Sequence, residues 1–161
     1  MKSLSFKRPI ILSVLAISML LVSNSCKKCT VSDSNEETGV IVKGVIIYPK
    51  SGYMTADAGV THFTGAGQYA NAFEISFDGG QTRVPMDWGA YDILANPMTI
   101  KCKASVLKDV KYDAGNAILR YKATATTCKS CEQDRYIENY VLIPTVAAGV
   151  TVWFEPIIKE N

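Results

Sequence analysis

Apolar residues in this chain fall into two patterns. Residues 10–22 form an almost unbroken run, interrupted only by Ser13 and Ser18. From residue 40 onward apolar and polar positions alternate, the period-two signature of strands with one buried face. Phe73, Ile75 and Phe77 alternate with Glu74, Ser76 and Asp78. Met98, Ile100, Cys102 and Ala104 oppose Thr99, Lys101, Lys103 and Ser105. Ala117, Leu119, Tyr121, Ala123 and Ala125 oppose Arg120, Lys122 and Thr124. Residues 40–48 are apolar on both faces and stop at Pro49, which predicts a well-buried strand. Residues 137–143 and 150–158 are the last two predicted strands, joined by a short connection over 144–149.

Turn chemistry separates these segments. Asp78-Gly79-Gly80-Gln81 supplies residues that tolerate positive φ, and Thr82, Val84 and Met86 form the return strand. Pro85 lacks an N–H and marks an edge. Residues 109–116 read as a tight turn. Residues 51–72, rich in Gly, Ala and Thr, read as a long connection, and connections beyond about 12–15 residues are usually functional or mobile. About eight strands with no convincing helix predict an all-β fold, a single antiparallel β-sandwich over residues 40–161. A small barrel is the alternative.

Charge changes the picture at the N-terminus. The chain has 17 basic and 15 acidic side chains, but residues 1–25 hold Lys2, Lys7 and Arg8 and no acid. The remainder is close to neutral, with no basic field to attract nucleic acid. Basic start, apolar run and the small residues Ser23 and Ser25 are the three parts of an export signal. The run is short of the roughly 20 residues a membrane-spanning helix needs.

Two cleavage readings compete. Ser23 and Ser25 suit an ordinary signal peptidase, while Ser25 followed by Cys26 suits a lipoprotein peptidase. The stretch resembles a bacterial lipoprotein signal, with Ser23 where the usual lipobox has Leu; such loose boxes resemble those of Bacteroidota lipoproteins. The resemblance implies residues 1–25 as a lipoprotein signal peptide and Cys26 as the acylated first residue. Lys27 stands where an inner-membrane retention signal has Asp, which points to the outer membrane and leaves periplasmic and surface-exposed placement open. Several acyl chains exceed the two-signal threshold for stable anchoring. Residues 26–39 are polar and Ser-rich and read as a flexible tether.

Asp87-Trp88-Gly89-Ala90-Tyr91-Asp92-Ile93-Leu94 resembles the strand-entry motif of transthyretin-like and carboxypeptidase-regulatory-like sandwiches, with one residue between Asp and Gly where that family has two. The resemblance spans eight residues and implies a non-catalytic accessory sandwich of immunoglobulin-like or transthyretin-like type.

The five cysteines are Cys26, Cys29, Cys102, Cys128 and Cys131. The two Cys-x-x-Cys pairs lie far beyond the roughly 15–20 residues that separate the pairs of a zinc ribbon. His62 is the one histidine, so no metal site is assigned and no cofactor. Cys128-Lys129-Ser130-Cys131 has redox-motif spacing, but it lies between predicted strands beside Glu132 and Asp134, which would raise a thiol pKa. A Cys128–Cys131 disulfide clipping a loop suits an oxidising compartment better. Cys102 reads as a free buried thiol or as a bridge to that loop. No Gly-x-Ser-x-Gly elbow occurs, and Gly65-x-Gly-x-x-Ala lacks the strand and helix a dinucleotide fingerprint requires. No catalytic residue is assigned.

These observations lead to a membrane-anchored envelope lipoprotein whose sandwich binds or assembles with another component, an envelope protein or a glycan. His62, Tyr69, Trp88 and Trp153 are the candidate contact surface, since exposed aromatics stack on sugars or dock partners. The competing expectation is an envelope thiol-redox protein using Cys128 and Cys131.

Overall fold

The computed structural model describes residues 31–51, 59–65, 67–128 and 133–160. The signal, Cys26, Cys29 and Cys131 lie outside the described residues. Among the described residues the chain is all-β, with twelve strands: β1 Ser34–Gly39, β2 Ile46–Pro49, β3 Thr61–Phe63, β4 Phe73–Ser76, β5 Val84–Pro85, β6 Tyr91–Ala95, β7 Met98–Lys101, β8 Ala104–Asp113, β9 Ile118–Thr127, β10 Asp134–Ile137, β11 Tyr140–Pro144 and β12 Thr151–Glu160. A short 3₁₀ turn, Gly67–Tyr69, lies between β3 and β4.

Four strands form one sheet in the order β1-β8-β9-β12. Its central β8–β9 hairpin is antiparallel, and Ala104, Val106, Val110, Leu119, Tyr121, Ala123 and Ala125 point to one side, as alternation predicts. Facing them is a ribbon made of β6–β7 and β10–β11. Ile137 pairs with Met98 and Tyr140 with Ala95, so the two halves share one register. The ribbon is interrupted where Asn139 takes a φ of 40° and its Nδ2 donates to the Asn96 carbonyl at 3.0 Å. Strand β3 adds to β6, and β2, β4 and β5 form a further sheet.

The ribbon is buried on both faces. Leu94, Val141 and Ile143 pack with β8 and β9, while Ile93, Ala95 and Leu142 pack with Phe63, Phe73 and Ile75. This explains why Ile93-Leu94-Ala95 and Val141-Leu142-Ile143 are apolar without alternation: a segment buried on two sides has no polar face.

Several expectations are corrected. The antiparallel arrangement fails at both edges of the four-stranded sheet, where β1 pairs with β8 and β12 with β9 in parallel. Among the described residues there are twelve strands, several of them short, where alternation predicts about eight. The proposed tether is too long: residues 34–39 are β1, joined to β8 over a six-residue register that includes the Ser34–Ser105 and Thr38–Asp109 side-chain bonds. Main-chain pairing needs no apolar side chain, so composition did not reveal it. Residues 40–48 are not one strand, because Lys43 and Gly44 form a turn with Gly44 at a φ of 74°. The strand read through Met98 to Ser105 bends at Cys102, where φ is 52°, and continues as β8. Strand β8 runs on to Asp113, so only the end of the supposed 109–116 turn is a turn. There Asp113 Oδ1 accepts the N–H groups of Gly115 and Asn116.

Candidate functional site

The site is assembled from strand edges. Strand β1 ends one sheet, β10 and β11 form the outer side of the ribbon, and β2 ends a third sheet. All of them border one cavity of about 610 Å³. Asp33, Ser34 and Asn35 line it consecutively, as do Val45, Ile46 and Ile47, and Asn139 through Leu142. Successive side chains of a strand point to opposite faces. A wall of consecutive residues therefore presents the strand's hydrogen-bonding edge.

Lys108 occupies the inner face of β8, at a position that alternation assigns to the core. It is buried, its Nζ donating to the Tyr140 carbonyl at 3.0 Å and lying 3.5 Å from Glu37 Oε1. Burial removes water from the ammonium and lowers its pKa, an effect that Glu37 opposes. Beside it, the Tyr121 hydroxyl donates to the Asn139 carbonyl at 2.6 Å, and burial pushes its pKa up. At the mouth Asp33 and Arg135 form a two-bond pair, 2.8 Å and 3.1 Å long. The Arg135 hydrogen bonds and the Ala104 N–H hold the Asp33 carboxyl below its usual range. Two cations and two anions among the lining side chains balance, and Val42, Val45, Ile46 and Ile47 supply apolar wall.

The four predicted contact residues do not form one surface. His62 Nε2 meets Asp92 Oδ2 at 2.9 Å, and the same carboxylate oxygen accepts the Val146 N–H at 2.9 Å. Asp92 is buried, so this pair fastens β3 and the 145–150 connection to β6. Tyr69 packs edge-on against Phe63, and Trp88 edge-on against Phe73. The Trp88 indole N–H donates to the Ala70 carbonyl at 2.8 Å. A Cβ on Gly65 would fall 2.2 Å from Trp88 Cγ, so the glycine lets the chain lie against the ring. These rings seal the second core. Trp153 alone is open, 49% exposed on the outer face of the four-stranded sheet, with the Arg120 guanidinium 5.3 Å from its centroid.

Asp87 shapes the turn into β6: its side chain accepts the Gly89 N–H and its carbonyl the Tyr91 N–H, where the strand begins. Cys128 is buried at the end of β9, and Cys102 and Cys128 are both disulfide-bonded, which excludes the free-thiol reading of Cys102. The Cys128–Cys131 pairing falls partly outside the described residues. Among the described residues no group of three or more His, Cys, Asp or Glu side chains could hold a metal ion.

Sequence reasoning missed the cavity. A lysine at an inward position of an otherwise alternating strand was the available signal, since Lys is almost never fully buried unless paired. No family model matches the chain, and neither does any curated protein or solved structure.

Proposed function

We propose that this chain is a lipoprotein, anchored in the outer membrane through acylated Cys26, whose two-sided sandwich is a non-catalytic binding or assembly module of the immunoglobulin-like or transthyretin-like kind. The anchoring half of this reading is supported by the sequence of residues 1–26, a basic start, a short apolar run and small residues before a cysteine. The binding half is supported by one observation, the cavity bordered by strand edges and lined by a buried lysine. A soluble domain normally pairs, covers or charges its edges, and a concave site with apolar walls and a few convergent polar groups is the usual form of a binding site. The redox alternative is disfavoured, because a reactive thiol needs exposure and a lowered pKa, whereas Cys128 is buried.

The test has two parts. Intact mass of the protein taken from its own membranes should start at Cys26 and include acyl chains; an unacylated mass would sink the anchor. A photo-crosslinking side chain placed at Ile46, on the cavity wall, should trap a discrete adduct in cells, and the same group at Tyr112, away from that wall, should not.

A further inference from the structure

We infer that the cavity accepts an extended polypeptide segment from a partner, which adds as a strand to the edges that border it. The inference rests on the binding-module reading and names the partner class for that same site. Three observations carry it. First, β1 and β2 each end a sheet and each presents consecutive residues to the same cavity, so these walls offer main-chain donors and acceptors, while β8 contributes a side-chain face through Ala104, Val106 and Lys108, and the Tyr140 and Leu142 carbonyls of β11 are already taken by Lys108 and by the Val42 N–H. Extended peptides bind to such edges through main-chain hydrogen bonds, with alternate side chains seated in pockets. Second, the dimensions fit. The β1 wall runs from Asp33 to Glu37, a length of roughly 13 Å at about 3.3 Å per residue, which matches a strand of about four or five residues. Third, the chemistry is that of a neutral strand. Lys108 and Arg135 balance Asp33 and Glu37, so a charged ligand would meet no net opposite charge. Lys108 has three N–H donors, of which one is given to the Tyr140 carbonyl and one is directed at Glu37. The third suits a peptide carbonyl of the incoming strand. The apolar walls Val45, Ile46 and Ile47 suit its alternate side chains.

The experiment is selection of a phage-displayed library of random linear heptapeptides on the chain beginning at Cys26 with that residue changed to Ser. Enriched peptides are then synthesised and titrated against isotope-labelled protein. Expected are alternating apolar and polar peptides whose amide shifts cluster on β1, β2 and β11. N-methylation at alternate peptide nitrogens should weaken binding about tenfold or more, because it removes main-chain donors. Ile46→Glu alters an exposed side chain, so the fold should persist, and it should weaken binding to a similar degree. Shifts located elsewhere, N-methylated peptides that bind equally well, or no enrichment at all would each overturn the inference. Protection of the β1 and β2 edge amides by the chain's own N-terminal segment, lost on truncation to residue 31, would also overturn it by making the occupant internal. A crosslink at Ile46 to a non-peptide component, with no peptide enrichment, would overturn strand addition while leaving the binding module standing.

Discussion

The carboxylate of Asp33 holds the guanidinium of Arg135 in two hydrogen bonds across 102 residues of sequence. Asp33 Oδ1 also accepts the Ala104 N–H at 3.1 Å. One side chain therefore ties the start of β1 to the starts of β8 and β10, at the mouth of the cavity. The folded carboxyl titrates below its ordinary 3.8. This tie is therefore fully present above the ordinary value and is lost as pH falls through the lowered one. Asp33→Ala should speed amide hydrogen exchange in β1 at neutral pH, with little change in global stability because the pair is exposed. Unchanged protection of residues 34–39 would show that main-chain pairing alone holds the strand.

Lys108 is a buried cation with a long-range partner, so its contribution depends on Glu37. Lys108→Met should cost about 1–3 kcal/mol by leaving the Tyr140 carbonyl and Glu37 without their donor. The double change with Glu37→Gln should recover part of that loss, read by urea unfolding as a double-mutant cycle. The lowered pKa of Lys108 predicts the same pH sense as Asp33, but in the alkaline range. Stability rises as pH climbs from the lowered value toward the ordinary 10.5, because the unfolded chain binds the proton more tightly. The Lys108→Met protein should lack this rise. Strict additivity in the cycle would count against the coupling.

Gly39 closes β1 at a φ of 84°, and a Cβ there would fall 1.9 Å from the Val110 carbonyl oxygen. The next N–H, of Val40, donates to that same oxygen at 2.9 Å. Gly39→Ala should therefore destabilise the domain by at least about 2 kcal/mol, through backbone strain and the displaced carbonyl. Gly149, also at positive φ but with open space around it, should lose less on the same change.

Phe73 and Trp153 separate packing from surface. Phe73 is 1% exposed and meets Phe63, Trp88 and Tyr140 edge-on. Phe73→Ala should cost about 3–5 kcal/mol in thermal or urea unfolding. Trp153→Ala should stay within about 0.5 kcal/mol, as exposed positions do. A large loss at Trp153 would mean that its contact with Arg120 carries structural weight.

Cys102 and Cys128 are disulfide-bonded at the end where β7, β8, β9 and β10 meet. Unreduced native protein should leave both unlabelled by maleimide. Reduction should lower stability by about 2–4 kcal/mol. Rapid labelling of Cys128 without reduction would reopen thiol chemistry for this chain.

The sequence by itself determined the all-β class, because period-two alternation needs only local geometry. Leu119, Tyr121, Ala123 and Ala125 are inward as their spacing requires. It also specified the turns at Asp78-Gly79-Gly80-Gln81 and the entry to β6 at Asp87, where capping is decided within a few residues. The Asp78 carboxyl, drawn down to about 2 by its bonds to Ser76 and Thr82, belongs to that local class. Only the tertiary structure decided the rest. Strand β1 is polar and is held by its backbone, which composition does not report. Tyr69 and Trp88 are aromatic in the same way as Trp153, yet two face a core and one faces solvent, because burial depends on which layer lies opposite. The cavity brings together residues from Asp33 to Leu142. Strand edges border it, and every residue carries the same N–H and C=O groups except proline, so apart from the lysine at an inward position of β8 no pattern of side chains announced it.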